Sequence, residues 1–175
     1  MQPTTEIIVV LLPCISVVLM AYWFINRPLR IEKLRLQNEF DKHNAKIVTP
    51  IKLSAYERLV LFLERTSPDE ILNREMQPEM SAFELQMRLL KVIREEFEHN
   101  VSQQIYVSPN CWQAVTDAKA SINQLINIAA TQVSPNDHSL NLAQIIIQTY
   151  NTETETATKT AINMLKNEIG RLINL

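Results

Sequence analysis

The chain of 175 residues carries a single glycine, Gly170. Average usage of roughly 7% would place about a dozen in a chain of this size. Glycine-rich phosphate loops, dinucleotide fingerprints and nucleophile elbows need residues without a Cβ at fixed offsets, and primed-turn hairpins need them at their tips. All of these are excluded. Hydrophobic residues make up 46% of the chain, charged residues 21% and aromatic residues 6%, the balance of packed helices with an ordinary solvated face. The expected fold class is all-α, one N-terminal transmembrane helix followed by an antiparallel helical bundle. Gly170 falls inside the last helical pattern, where it is expected to permit a close helix approach or early fraying rather than mark a site.

A formal net charge of -2 and a pI near 5.9 set up no field that would recruit nucleic acid, and no nucleic-acid partner is expected. Cys14 and Cys111 are too few for a disulfide framework or a four-ligand zinc site, and both are expected to be reduced and buried.

From Ile7 to Ile25 the sequence reads IIVVLLPCISVVLMAYWFI without a charge. At 1.5 Å per residue roughly 19 helical residues span the ~30 Å hydrocarbon core of a bilayer. A cleaved signal peptide wants a basic start and small residues before the cut, whereas the first charged side chain here is Glu6 and Leu19-Met20-Ala21 lacks the pattern. The run is therefore expected to be a retained anchor. Pro13 removes one helical hydrogen bond in it, which membrane helices tolerate. Tyr22, Trp23 and Phe24 mark the membrane interface together with Arg27 and Arg30, and Lys33 and Arg35 follow while no Lys or Arg precedes the run. The positive-inside rule then places the N-terminus outside and the C-terminal bulk in the cytoplasm, at an inner, single-pass membrane location. The expected parts are residues 1–26 as anchor, 27–52 as juxtamembrane helix and linker, and 53–175 as a cytoplasmic helical domain. Leu29, Leu36 and Phe40 give the juxtamembrane helix a thin apolar seam, and the linker is placed at Lys42 to Pro50.

Ser54-Ala55-Tyr56-Glu57 reads as a capping box opening a helix to Arg65, with Leu59, Phe62 and Leu63 inward. Serine followed by proline opens further helices at Ser67-Pro68, Ser108-Pro109 and Ser134-Pro135. Ser81-Ala82-Phe83-Glu84 starts a helix to about His99 whose inward face is read as Phe83, Met87, Leu90, Ile93 and Phe97. The next helix, from Pro109 to about Gln132, has Trp112, Val115, Ile122, Ile126, Ala129 and Val133 at helical spacing. Leu140 to Tyr150 is a shorter segment, the low-complexity stretch TETETATKT follows, and a last helix turns Ile162, Leu165, Ile169 and Leu172 to one side. Asn100 and Asn151 stand where left-handed helix stops would otherwise use glycine. Ile105-Tyr106-Val107 is too brief to found a sheet.

Chemistry-bearing residues gather in a candidate polar cluster of Glu57, Arg58, Glu64, Arg65, Glu95, Glu98, His99, Asn100, Gln103, Gln104 and Tyr106. Glu96 and His99 have the carboxylate-x-x-histidine spacing of di-iron bundles, but such sites need a second copy of the motif and two more glutamates, so no metal is expected. Glu57-Arg58 and Glu64-Arg65 recur seven apart and are expected either to pair internally or to meet the Arg94, Glu95 and Glu98 surface of the long helix, an ion-pair network rather than an acid/base site. Asn100, Ser102, Gln103, Gln104 and Tyr106 follow a helix end and are read mainly as satisfying its orphan carbonyls. AYERLVLFLERTSP at Ala55 to Pro68 and REEFEHNVSQQIYVS at Arg94 to Ser108, behind the N-terminal apolar run, resemble a family of small uncharacterised membrane-anchored helical proteins from Bacteroidota. The resemblance implies a domain of unknown function in an envelope context and carries no site residue, catalytic residue or cofactor. The expected function is non-enzymatic: a cytoplasmic helical scaffold on a membrane anchor, whose partners are the lipid bilayer and another protein or itself. The alternative is a small-ligand sensor or enzyme with Glu57, Arg58, Glu98, His99 and Gln104 converging in a polar cleft.

Overall fold

The computed structural model describes the backbone of residues 3–152 and 156–173; the side chains of residues 3–8, 10, 25–32, 34, 38, 41, 42, 44, 45 and 173 fall outside the description. Six α-helices run α1 Pro3–Arg65, α2 Pro68–Glu75, α3 Ala82–Asn100, α4 Pro109–Ala130, α5 Ser139–Thr152 and α6 Ala157–Ile173, with a 3-10 turn at Val101–Ile105. The described residues contain no strand, only one isolated antiparallel bridge between Ser81 and His138. The all-α bundle expected from the missing glycines is therefore present. Two compact units divide the chain, residues 1–49 and residues 50–175.

The described part of the first unit lies within α1. Its described apolar side chains, among them Leu12, Val17, Leu19, Leu36, Phe40 and Ile47, are exposed. Tyr22, Trp23 and Phe24 are exposed too, with the Trp23 and Phe24 rings 6.3 Å apart edge to face. Among the described residues no helix is long and apolar enough to cross a membrane. Ile7, Ile8, Val10 and Ile25 of the apolar run, the interface residues Arg27 and Arg30, and Leu29 of the seam have side chains outside the description. Cys14 is exposed, against the expectation of burial. The expected linker at Lys42 to Pro50 is helical, and Ser54 opens no new helix. Only Pro50 opposes helix there, by withholding one donor, and without glycine nothing else in the stretch favours a break.

The second unit is organised around α4. The C-terminal half of α4 supplies Ile122, Ile126 and Ala129 to one core with Ile71 and Leu72 of α2, Leu85, Leu89 and Ile93 of α3, and Leu142 and Ile146 of α5. Its N-terminal half supplies Cys111, Val115 and Ala118 to a second core with Tyr56, Leu59, Phe62 and Leu63 of α1 and Ala161, Ile162 and Leu165 of α6. Gln86 of α3 bonds Asn127 of α4, while Phe97 further along α3 stacks on Trp112 near the start of α4, so these two helices are antiparallel.

Three of the five expected serine starts, Ser67, Ser81 and Ser108, stand directly before a helix, and Ser54 and Ser134 do not. Ser81 forms a full capping box with Glu84, and the Ser108 hydroxyl accepts from the Cys111 N–H at 3.2 Å. Ser67 precedes Pro68 without a side-chain cap. Ser134-Pro135 opens no helix; Ser134 N–H donates to Asp137, the turn continues, and α5 begins at Ser139. The asparagine stops are also corrected. No described residue has positive φ, Asn100 ends α3 at φ -109°, and Asn151 lies inside α5. The caps of α2, α3 and α4 are extended or right-handed, and Gly170, the residue with no Cβ penalty for a left-handed one, lies inside α6. A Cβ built on Gly170 would meet nothing within 4 Å, so the expected close helix approach is not there.

Helix α3 corrects the most consequential expectation. Its inward face is Ala82, Leu85, Leu89 and Ile93, whereas Phe83 and Met87 are more than half exposed. The helix carries two apolar stripes, and periodicity alone does not tell which one meets a neighbour.

Candidate functional site

Three places in the second unit gather chemistry-bearing side chains. The first is a polar knot around Glu168 of α6, where α1, α4 and α6 meet inside a core. The Glu168 carboxylate accepts from the Tyr56 hydroxyl, the Ser108 hydroxyl and the Ser108 N–H, the last at 2.9 Å. Cys111 adds a fourth interaction through its thiol. Burial pulls the Glu168 pKa up, but the bonds from Cys111, Ser108 and Tyr56 outweigh it and hold the carboxyl at about 2. Burial and the adjacent carboxylate push Cys111 up to about 11 and Tyr56 above its ordinary phenol value. A thiol in that state is protonated at neutral pH and is a poor nucleophile. The knot closes the N-terminus of α4, where a carboxylate also meets the positive end of the helix dipole.

The second place is a set of ion pairs. Glu75 at the end of α2 is nearly buried and takes Arg74 and Arg88 at 2.9 Å each. Burial raises its pKa and the two guanidiniums bring it below the usual range. Arg65 reaches Glu96 at 2.7 Å, which ties the end of α1 to α3. Arg65 thus finds the long helix, as the sequence allowed, but at Glu96 rather than Glu95 or Glu98. Both partners are solvent-accessible, so Arg65→Ala is expected to cost under about 1 kcal/mol in a urea titration of the full chain.

Of the remaining members of the polar cluster, Glu57 and Glu64 share one groove between α1 and α6. Glu57, Arg58, Glu64, Glu95, Glu98, His99 and Gln104 are exposed. Glu95 pairs loosely with Lys91 at 3.8 Å. Asn100 donates to the Glu96 carbonyl at 2.8 Å, Gln103 is buried and bonds Ser102, and the Tyr106 N–H donates to the Gln103 carbonyl. These contacts satisfy a helix end. Glu96 is engaged by Arg65, and among the described residues no three of His, Cys, Asp and Glu cluster as a metal site would require. Of Glu57, Arg58, Glu98, His99 and Gln104, the residues on which a small-ligand reading depends, only Glu57 lines the α1–α6 groove, and all five are exposed.

The third place is the surface left by the outer stripe of α3. Phe83 and Met87, with the half-buried Met80 and Leu90, floor an open groove of about 650 Å³ rimmed by Arg88, Lys91 and Arg94. Arg88 is committed to Glu75, whereas Arg94 makes no ion pair among the described residues. A second groove of about 370 Å³ lies between α1 and α6, floored by Leu53, Val60, Leu61 and Ile169 and flanked by Glu57 and Glu64. Exposed apolar floors with charged rims are the ordinary anatomy of a protein-binding surface, and flexible methionines suit one.

The sequence had named Phe83 and Met87 but assigned them to the core, and it missed the Glu168 knot altogether. Glu168 stands in a run, KNEIGR, that looks like any solvated helix face. Its only local signal was the Ser108 cap opposite, 60 residues away.

Comparison with curated proteins and with solved structures finds no match. One family model matches, over residues 2–172.

Proposed function

The chain belongs to a family of unknown function, DUF7935, along nearly its whole length, and from that premise we propose that it is a membrane-anchored interaction protein whose helical unit binds another protein or itself. The observation that carries this reading is the outer stripe of α3: two large apolar side chains left in solvent over an open groove with basic residues along its edge. Phe83 and Met87 are each more than half exposed, so seating them against a partner would remove apolar area from water. The uncharged run at residues 7–25 and the basic residues after it support an anchor with the helical unit on the cytoplasmic side of an inner membrane. The Bacteroidota envelope context is part of the same proposal.

Two measurements test it. With a photo-crosslinking amino acid at position 83 of the full chain in native membranes, a reproducible protein adduct is expected that the same label at exposed Gln132 does not form. No adduct at 83, or the same adducts from both positions, would sink the interaction reading. Alkaline phosphatase fused after Leu175 is expected to be inactive, with the chain retained in membranes through a carbonate wash. An active fusion overturns the orientation, and release by carbonate overturns the anchor.

A further inference from the structure

The two grooves of the helical unit are complementary to each other. On α3 the exposed ridge runs Phe83, Met87, Lys91, Arg94, steps of four, four and three residues that keep it on one helix side. On α1 the ridge Leu53, Glu57, Leu61, Glu64 has the same steps, and all four residues line the second groove. One ridge carries two cations and the other two carboxylates, and each brings exposed apolar residues between or before them; an antiparallel approach that sets Met87 against Leu61 brings Lys91 opposite Glu57. Each groove also holds one charge of the other sign, Glu79 beside the α3 ridge and Lys166 beside the α1 ridge, so the match runs in both signs. Glu84 and Arg88 take no part, being occupied by Ser81 and Glu75, while Lys91 has only a loose, exposed contact with Glu95 at 3.8 Å that a carboxylate of a second copy can replace.

We infer that the partner is a second copy of this chain, the α3 ridge of one copy seating in the α1–α6 groove of the next. This inference rests on the interaction reading above and names its partner. The two surfaces are different patches of one molecule, so the contact is heterologous. Such a contact leaves one ridge of each kind free at the ends and propagates into a ring or an open row instead of closing as a two-fold dimer. Electrostatic matching of this kind sets partner choice and register more than raw affinity.

The test uses the full chain with Cys14→Ser, since Cys111 is buried and silent. Two differently tagged copies are co-expressed, one with Leu61→Cys and the other with Met87→Cys, and membranes are treated with a short bismaleimide. The mixed pair is expected to give a two-tag dimer at least tenfold above either like pair. Adding Lys91→Glu and Arg94→Glu to the Met87→Cys copy is expected to reduce that product at least fivefold, and Glu57→Lys with Glu64→Lys on the other copy to restore it. All four charged residues are exposed, and restoration shows that the variants remain folded. Equal crosslinking of like pairs, or no effect of the charge exchange, overturns the inference. Copies that co-purify without a Leu61→Cys to Met87→Cys crosslink overturn this arrangement and leave the interaction reading standing. Copies that neither co-purify nor crosslink also overturn it, and the adduct at position 83 then decides the broader reading separately.

Discussion

Glu168→Ala is expected to lower the thermal midpoint of the full chain by about 10 °C, from a loss of about 3 kcal/mol spread over a unit of this size. The change removes the common acceptor of Tyr56, Ser108 and Cys111 and leaves their donors unpaired in a core junction. Circular dichroism melts of wild type and variant measure it. A shift below about 2 °C would mean that water satisfies the four donors equally well, and the knot would then not hold α1, α4 and α6 together.

The same group makes a pH prediction. The Glu168 carboxyl titrates near 2 when folded, below the 4.5 of an ordinary glutamate, so the folded state favours its charged form. Its contribution is complete above the unfolded pKa and is lost as pH falls toward the folded one. About 2 kcal/mol, after allowance for solvent screening, is expected to disappear between roughly pH 4.5 and 2. On the alkaline side the signs reverse. Cys111 is raised from 9.0 to about 11, so its contribution is complete below pH 9 and is lost as pH climbs toward 11, with Tyr56 acting in the same direction at still higher pH. Glu168→Gln keeps the side-chain size but carries no charge, so it is expected to flatten the acid limb. An unchanged acid limb in Glu168→Gln would assign the acid sensitivity to other carboxylates, with the nearly buried Glu75 the first to examine.

Phe62→Ala is expected to be the most damaging single truncation in the helical unit, at about 4 kcal/mol. Phe62 is fully buried, its ring lies 5.8 Å from that of Phe97, and Phe97 stacks in turn on Trp112 at 5.5 Å with the Lys119 ammonium 4.0 Å from its centre. The row joins α1, α3 and α4, so the cavity left behind opens onto three helices that cannot all relax toward it. Its neighbour Leu61 is exposed, and Leu61→Ala is expected to change stability by no more than about 0.5 kcal/mol. Urea unfolding of the pair measures the contrast. Similar costs for the two would place α1 in the wrong rotation about its axis and would remove the α1 ridge with it.

Helix α3 marks the limit of what the local pattern reveals. Its limits, its capping box and its amphipathic character were all legible, because each depends on residues within one or two turns. Its inward face was not. Phe83, Met87, Leu90 and Ile93 satisfy helical spacing as well as Ala82, Leu85, Leu89 and Ile93 do, and only the arrival of α2, α4 and α5 on one side selects between them. The stripe that was not selected became the groove. In α1 and α4 there was one good stripe each, and Leu59, Phe62, Leu63, Val115, Ile122 and Ile126 are all buried as the spacing required. The polar cluster shows the same limit from the other side. The spacing left Arg65 to pair within its own helix or with the long one, and the choice of Glu96 on the long helix depended on the distance between the two.

The sequence by itself determined the class of this protein. One glycine excluded the tight turns and phosphate loops of other folds, and serine caps set the starts of α3 and α4 through hydrogen bonds a few residues long, with proline at the first turn of α4. Tertiary structure alone decided which apolar stripe of α3 stays in solvent, and which donors converge on Glu168 across the 112 residues that separate it from Tyr56. The physical reason is range. Backbone conformation and capping answer to neighbours within about one helical turn, while burial and carboxylate ionisation answer to whatever surface packing brings from far along the chain.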